Sequence, residues 1–256
     1  MNLKCPVCGK PLLLSSKTYA CENRHSFDCA KSGYVNLLRS NKAGHGDNKE
    51  MMNARTAFLN TGAYGFLRDT IASILQDTED GVFFDLGCGE GYYTSIMPGK
   101  ERYGFDISKD MIDRAAKHDK NTRYVVASIF DLPVYDSSAD AVLTCFAPAS
   151  EPEILRVLKD NGLFVFVSPG PDHLKELKEV LYEEITENET DQRFHTLRME
   201  KEHLISSVFS VDQDALFNLF MMTPYYYRTS SAAKEKLKEI SSMSVTAQFL
   251  IRVYRR

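Results

Sequence analysis

Val82-Phe83-Phe84-Asp85-Leu86-Gly87-Cys88-Gly89-Glu90-Gly91 is the stretch whose reading decides the fold of this chain. A short apolar run that enters a turn with glycine at every second position describes a buried strand ending in a loop too tight for side chains. The spacing is G-x-G-x-G. A dinucleotide loop needs G-x-G-x-x-G, with a helix N-terminus aimed at a pyrophosphate. Close backbone approach to a ligand without phosphate is what this loop suits.

Outward from that strand, helical and extended patterns alternate. Helices are expected over 50–60, 65–75, from Ser108 onward, 151–158 and 172–184, and strands over 103–107, 123–127, 141–146, 163–168 and 245–254. Such alternation predicts an α/β fold, an open and mostly parallel Rossmann-like sheet covered by helices. In these sheets ligands bind beyond the carboxyl ends of the strands, where the glycine turn lies. Asp106 closes the next strand and is placed to accept two ribose hydroxyls. Glu90 can accept from an amino-acid ammonium or hold the loop. A ligand with ribose and ammonium but no phosphate at this point is S-adenosyl-L-methionine. Phe146-Ala147-Pro148 closes the fourth strand, and Phe146 either lines the ligand site or packs in the core.

The chain has 256 residues, with 43% hydrophobic and 26% charged, and a mean hydropathy of -0.30. A chain of this size buries roughly three quarters of its unfolded surface, enough for a real core, and the composition is that of an ordinary soluble protein. It contains no run of 18 apolar residues and begins without a secretory pattern, so no membrane span and a cytoplasmic location are expected. Charge is unevenly spread. Residues 1–50 hold eight basic and four acidic residues, a local +4, whereas the remaining 23 basic and 31 acidic residues give -8. A basic head on an acidic body permits contact with a nucleic acid, against the alternative of an ordinary solvated face.

Four of the six cysteines lie in the first 29 residues. Cys5-Pro-Val-Cys8-Gly9 is followed by Cys21 and then His25, two ligand pairs on successive turns. Three thiolates and an imidazole saturate a tetrahedral zinc, which makes the ion structural, and a segment this small needs the metal to fold. Cys29 falls outside the pair spacing and is read as packing.

Cys5-x2-Cys8, Cys21-x3-His25, Lys31-x-Gly33-Tyr34-Val35-Asn36-Leu37-Leu38, Met51-x2-Ala54-Arg55, the glycine loop through Tyr92, Ala147-Pro148, Pro169-Gly170-Pro171-x-His173-Leu174 and Met222-Thr223-Pro224 together resemble the RlmA-type family. Those proteins are bacterial 23S rRNA guanine-N1 methyltransferases. The resemblance implies a class I methyltransferase with a small N-terminal zinc-binding domain. Its zinc ligands are Cys5, Cys8, Cys21 and His25, and its donor contacts match Tyr64, Gly89, Glu90 and His173. Asp85, Gly87, Gly91 and Asp106 complete the donor loop. Where many methyltransferases place an acid against the adenine amine, this chain has Ala127-Ser128, leaving Ser128 and the Ile129 backbone for that role, with Asp131 as an alternative.

The implied organisation is a zinc-binding, RNA-contacting domain over 1–38, a linker over 39–49 and a methyltransferase domain over 50–256. The implied partner is a 23S rRNA hairpin, held by phosphate contacts from Lys31, Arg39, Lys42 and Lys49. A homodimer would let one subunit's head and another's body share the RNA. Guanine N1 lies on the Watson–Crick edge, so the base must be unpaired or flipped, and Phe146, Tyr64 and Tyr225-Tyr226-Tyr227 are candidates for stacking. Two other functions fit parts of the sequence. They are a small-molecule methyltransferase with a zinc knob that only stabilises it, and a non-catalytic RNA-binding module, which a broken donor loop would have marked.

Overall fold

The computed structural model describes residues 3–39, 48–182 and 192–256. Residues 40–47 of the expected 39–49 linker, Lys42 among them, lie outside these residues, as do the last two positions of the expected 172–184 helix.

The described residues form two sheets. The smaller is antiparallel, made of β1 (Leu13–Ser15), β2 (Thr18–Ala20) and β3 (Ser26–Asp28). Next come β4 (Val35–Asn36), the helices α1 (Lys49–Leu59) and α2 (Gly65–Ile74), and β5 (Val82–Leu86). The chain continues through β6 (Glu101–Asp106), α3 (Lys109–His118), β7 (Thr122–Val126), β8 (Ala139–Cys145), α4 (Glu151–Val157), β9 (Leu158–Pro169) and α5 (Lys175–Leu181). It ends with β10 (Arg198–Asp212), α6 (Gln213–Met221), α7 (Tyr225–Arg228), α8 (Ser231–Lys238) and β11 (Ser242–Arg255). The large sheet runs β10-β11-β9-β8-β5-β6-β7-β4, parallel from β4 to β9 and antiparallel where β11 meets β9 and β10.

Strand order reverses on either side of β5, so the loop after β5 opens at the switch point. Phe83 and Phe84 point to opposite faces and both are fully buried, as a central parallel strand requires. On one face Phe84 joins Phe105, Val142, Phe164 and Ile154 of α4. On the other, Phe83 joins Leu143 and Val165 beneath Leu67 of α2, Leu177 of α5 and Leu216 of α6.

The N-terminal head does not stand apart from this body. Leu3, Cys5, Leu12, Tyr19 and Cys21 share the core of Phe84, Val125, Leu132 and Val134. The Lys4 N–H donates to the Pro133 carbonyl at 2.8 Å. At the far end of the head, β4 becomes an edge strand of the large sheet, with Val35 opposite Val125 and Asn36 opposite Val126.

Most expected elements fall within a few residues of their observed bounds. One expected helix is shorter: α5 begins at Lys175 because Leu174 takes a left-handed backbone, φ 56°, immediately before it. Besides the short strands β1–β4 of the head, four of these elements were not expected. β10 carries apolar residues on both faces, with Ile205 and Phe209 packed inward while Leu204 and Val208 are 57% and 64% exposed, which erases the two-residue period. The helices α6, α7 and α8 follow it. Among the described residues no helix is long and apolar enough to cross a membrane.

Candidate functional site

Glycine is required in the loop after β5 for two separate reasons. Gly87, Gly89 and Gly91 all adopt positive φ, at 79°, 54° and 80°. In addition, a Cβ at Gly87 would lie 2.4 Å from the Ala147 Cβ, and one at Gly91 would lie 2.5 Å from the Tyr124 hydroxyl oxygen. Gly89 is less crowded, its nearest neighbour being the Met111 Cε at 3.4 Å. The middle glycine thus presents bare backbone while the outer two are packed down.

Asp106 ends β6 beside this loop. Its Oδ2 accepts the Gly89 N–H at 2.9 Å and its Oδ1 accepts the Ser108 N–H at 2.8 Å. Ser108 also caps α3 by accepting the Met111 N–H at 3.4 Å, at the start of the helix expected from there onward. Asp85 lies beneath the loop, 2% exposed, and accepts the Thr94 hydroxyl at 2.6 Å. Burial pushes its carboxyl up to about 7, with the nearby Asp106 adding to the rise and the Thr94 hydrogen bond opposing it. Asp85 therefore holds the chain that leaves the loop.

Glu90 sits between the loop and α1. Its Oε2 accepts the Thr56 hydroxyl at 2.5 Å, and Arg114 of α3 donates to that same hydroxyl oxygen at 2.7 Å. The other oxygen, Oε1, is buried and has no hydrogen-bond partner among the described residues.

Tyr64 and His173 reach the same region from α2 and from the turn before α5. Tyr64 is 3% exposed, packs edge-on against Phe58 at 5.1 Å and Phe249 at 5.0 Å, and keeps a buried hydroxyl without a partner among the described residues. His173 lies 4.8 Å from the Phe249 ring, and its Nδ1 accepts the Gln248 N–H at 3.3 Å. Burial, then the charge of Lys178, lowers its pKa to about 3, so the ring is neutral with its proton on Nε2. With its Nδ1 occupied and its pKa lowered, the ring stays neutral near pH 7. Phe146 is 44% exposed at φ 57° and lies 5.4 Å from Phe249 and 6.3 Å from Tyr93. Its exposure sets it apart from the buried core. These rings join the glycine loop to Tyr64 and His173.

Ser128 follows β7, whose end is tied to Asp106 by the Ala127 N–H donating to the Asp106 carbonyl at 3.0 Å. Its hydroxyl oxygen accepts the Phe130 N–H at 3.2 Å. Ser128 thus shares the carboxyl edge of the sheet with Asp106, and its carbonyl accepts the Asp131 N–H at 3.3 Å. Three residues on, Asp131 pairs with Arg39 at 3.5 Å.

In the head, the ligand atoms of Cys5, Cys8, Cys21 and His25 all lie within 4.8 Å of one another. His25 Nδ1 is 3.5 Å from the sulfurs of Cys5 and Cys21, and the Cys8 and Cys21 sulfurs are 3.7 Å apart. A tetrahedron with Zn–S near ~2.3 Å and Zn–N near ~2.05 Å has edges of about 3.8 Å and 3.5 Å. The set fits zinc in dimension and in donor type. Gly9 closes the first knuckle at φ 72°, donating its N–H to the Cys5 carbonyl at 2.8 Å. Cys29 stands outside the set and packs against the core, as expected.

Sequence reasoning missed Thr56, Arg114, Gln248 and Phe249. The first two act on a residue in another element, and the last two lie on β11, whose apolar run has no motif to single them out. A surface depression lined by Gln76, Asp77, Met97, Gly99 and Arg102 lies at the amino ends of β5 and β6, and none of these candidate residues lines it.

Two families match the chain: a zinc ribbon described as RlmA, N-terminal, over residues 3–43, and a methyltransferase domain over 77–239. The chain is 36% identical to a 23S rRNA (guanine(748)-N(1))-methyltransferase of Streptomyces fradiae, across 70% of this chain and 67% of that one. It is 31% identical to a Bacillus subtilis protein described as a candidate 23S rRNA (guanine-N1)-methyltransferase, across 95% and 93% of the two chains. Among solved structures, one from Anaeromyxobacter dehalogenans, described as a candidate type II methyltransferase, superposes with a TM-score of 0.55 at 18% identity. The match covers 73% of this chain and 95% of that one, a likeness of fold.

Proposed function

This chain belongs to the RlmA-type family of 23S rRNA (guanine-N1)-methyltransferases, and from that premise we propose that it methylates N1 of a guanine in a hairpin of 23S rRNA, using S-adenosyl-L-methionine. The division proposed is a zinc-binding, RNA-contacting domain over 1–38, a linker over 39–49 and a donor-binding, catalytic domain over 50–256. RNA is held by the head, and the work is done in the cytoplasm, with a homodimer as the form in which two subunits share one RNA.

The donor set suits the methyl donor part by part. Asp106, its two oxygens already oriented by Gly89 and Ser108, accepts from the ribose hydroxyls. Gly87, Gly89 and Gly91 bring the backbone close, and Asp85 holds the loop's exit. The orphaned Oε1 of Glu90 accepts from the methionyl ammonium. The buried Tyr64 hydroxyl and the Nε2–H of His173 are donors suited to the carboxylate, and Ser128 lies on the adenine side. When bound, the cofactor supplies an already activated methyl group, so the protein's main task is alignment. Neutral guanine carries a proton on N1, which must leave before the lone pair can attack. His173 is excluded from that duty by its proton placement. Phe146, exposed beside the loop, offers a ring against which an extruded base can stack.

The observation that carries this reading is the ion pair between Arg39 and Asp131. It lays the residue that follows the head against the loop after Ser128, which supports an RNA held by the head reaching the proposed donor site. The test is mass analysis and primer extension on 23S rRNA from cells with and without the gene. A single N1-methylguanine that disappears with the gene is expected, and an unchanged guanine pattern would overturn the proposal.

A further inference from the structure

The contacts of Glu90 point beyond the donor residues themselves. Its Oε2 accepts from Thr56 on α1, and Thr56 is in turn held by Arg114 on α3. The Thr56 hydroxyl has one proton and two acceptors in reach, Glu90 Oε2 at 2.5 Å and the Met52 carbonyl at 3.0 Å. Arg114 occupies a lone pair of the hydroxyl oxygen, and the shorter, charged acceptor takes the proton. Arg114 also donates to the Met52 carbonyl at 3.3 Å and to the Asn53 side chain, so it is fixed to α1 by three bonds. A carboxylate gripped on one oxygen is held against rotation by that bond. Its second oxygen, buried and without a partner among the described residues, is therefore kept facing whatever cation enters.

We propose that Thr56, oriented by Arg114, is a positioning residue that locks Glu90 so that its Oε1 receives the ammonium of the methyl donor. This rests on the reading of Glu90 as the ammonium acceptor. Both α1 and α3 thereby set donor affinity, although neither Thr56 nor Arg114 touches the donor.

The test compares binding of S-adenosylmethionine with binding of 5′-methylthioadenosine, which keeps the adenosine and lacks the ammonium, by calorimetry on the full chain. Thr56→Val should weaken S-adenosylmethionine about tenfold, the size of a lost charge-assisted bond, and leave methylthioadenosine within about twofold. Thr56→Ser should restore wild-type binding, and Arg114→Gln should show the same selective loss, which keeps the test open if Thr56→Val does not fold. Adding Thr56→Val to Glu90→Gln should weaken the donor no further. Equal weakening of both ligands in Thr56→Val, or wild-type affinity for both, overturns the proposal. Tight binding of S-adenosylmethionine by Glu90→Gln alone would instead remove the reading of Glu90 on which it rests.

Discussion

Asp106 accepts the Gly89 N–H through Oδ2 at 2.9 Å, which makes one carboxylate both the clasp of the glycine loop and the proposed ribose acceptor. The Ser108 N–H fixes its other oxygen. Replacing Asp106 with Ala should therefore lose ribose contacts and free the loop together. Donor affinity should fall at least about tenfold, and amide exchange should speed up at Gly89. Calorimetry and hydrogen exchange read the two effects; weakened binding with Gly89 still protected would mean that the loop holds itself.

Glycine is required at Gly91 by space as well as by φ, and substitution separates the two costs. At Gly62, φ 79°, an added Cβ meets nothing within 4 Å. Gly62→Ala should cost about 1–2 kcal/mol from the left-handed backbone alone. Gly91→Ala adds a Cβ 2.5 Å from the Tyr124 oxygen and should cost roughly 3 kcal/mol or more. Chemical denaturation of both variants checks the difference. Equal costs would show that Tyr124 yields freely.

The contrast between these glycines explains why the donor loop was legible in sequence and much else was not. A loop that needs left-handed backbone at alternate positions leaves glycines in the record, and Asp106 closes a strand at a countable distance. Thr56 leaves no such trace, because it meets Glu90 only after α1 packs on the loop 34 positions away. β4 is two residues long and gains its strand character from its pairing with β7, so Val35-Asn36 reads as part of the head. Phe146 could be named but not assigned, since exposure at a strand end depends on what the neighbouring strands cover.

Zinc removal should affect more than the head. Cys5 and Cys21 share a core with Val125 and Val134, and β4 pads the edge of β7. Cys8→Ser, or chelation of the metal, should lower the whole chain's melting temperature by roughly 10 °C or more in one cooperative transition. Cys29→Ser should leave one zinc per chain by elemental analysis. Two calorimetric transitions, the upper one unmoved, would mean that the body folds without the head.

Stability against pH should hide two opposed titrations that one substitution can uncover. Asp85 rises from 3.8 to about 7 through burial, so the folded protein binds a proton in that window that the unfolded chain has released. Its contribution is full below about pH 4, falls by about 1.4 kcal/mol per unit as pH rises, and levels off above about 7. His173 is lowered from 6.5 to about 3, chiefly by burial, so the unfolded chain binds the extra proton and stability rises with pH across that range. Between about pH 4 and 6.5 the two slopes cancel in the wild type. Asp85→Asn removes only the first. The stability of the variant relative to wild type should then climb from pH 4 to pH 7, by up to about 4 kcal/mol. Urea unfolding at four pH values measures this difference directly. If it does not change with pH, Asp85 is ionised in the fold throughout, and the Thr94 hydroxyl outweighs burial.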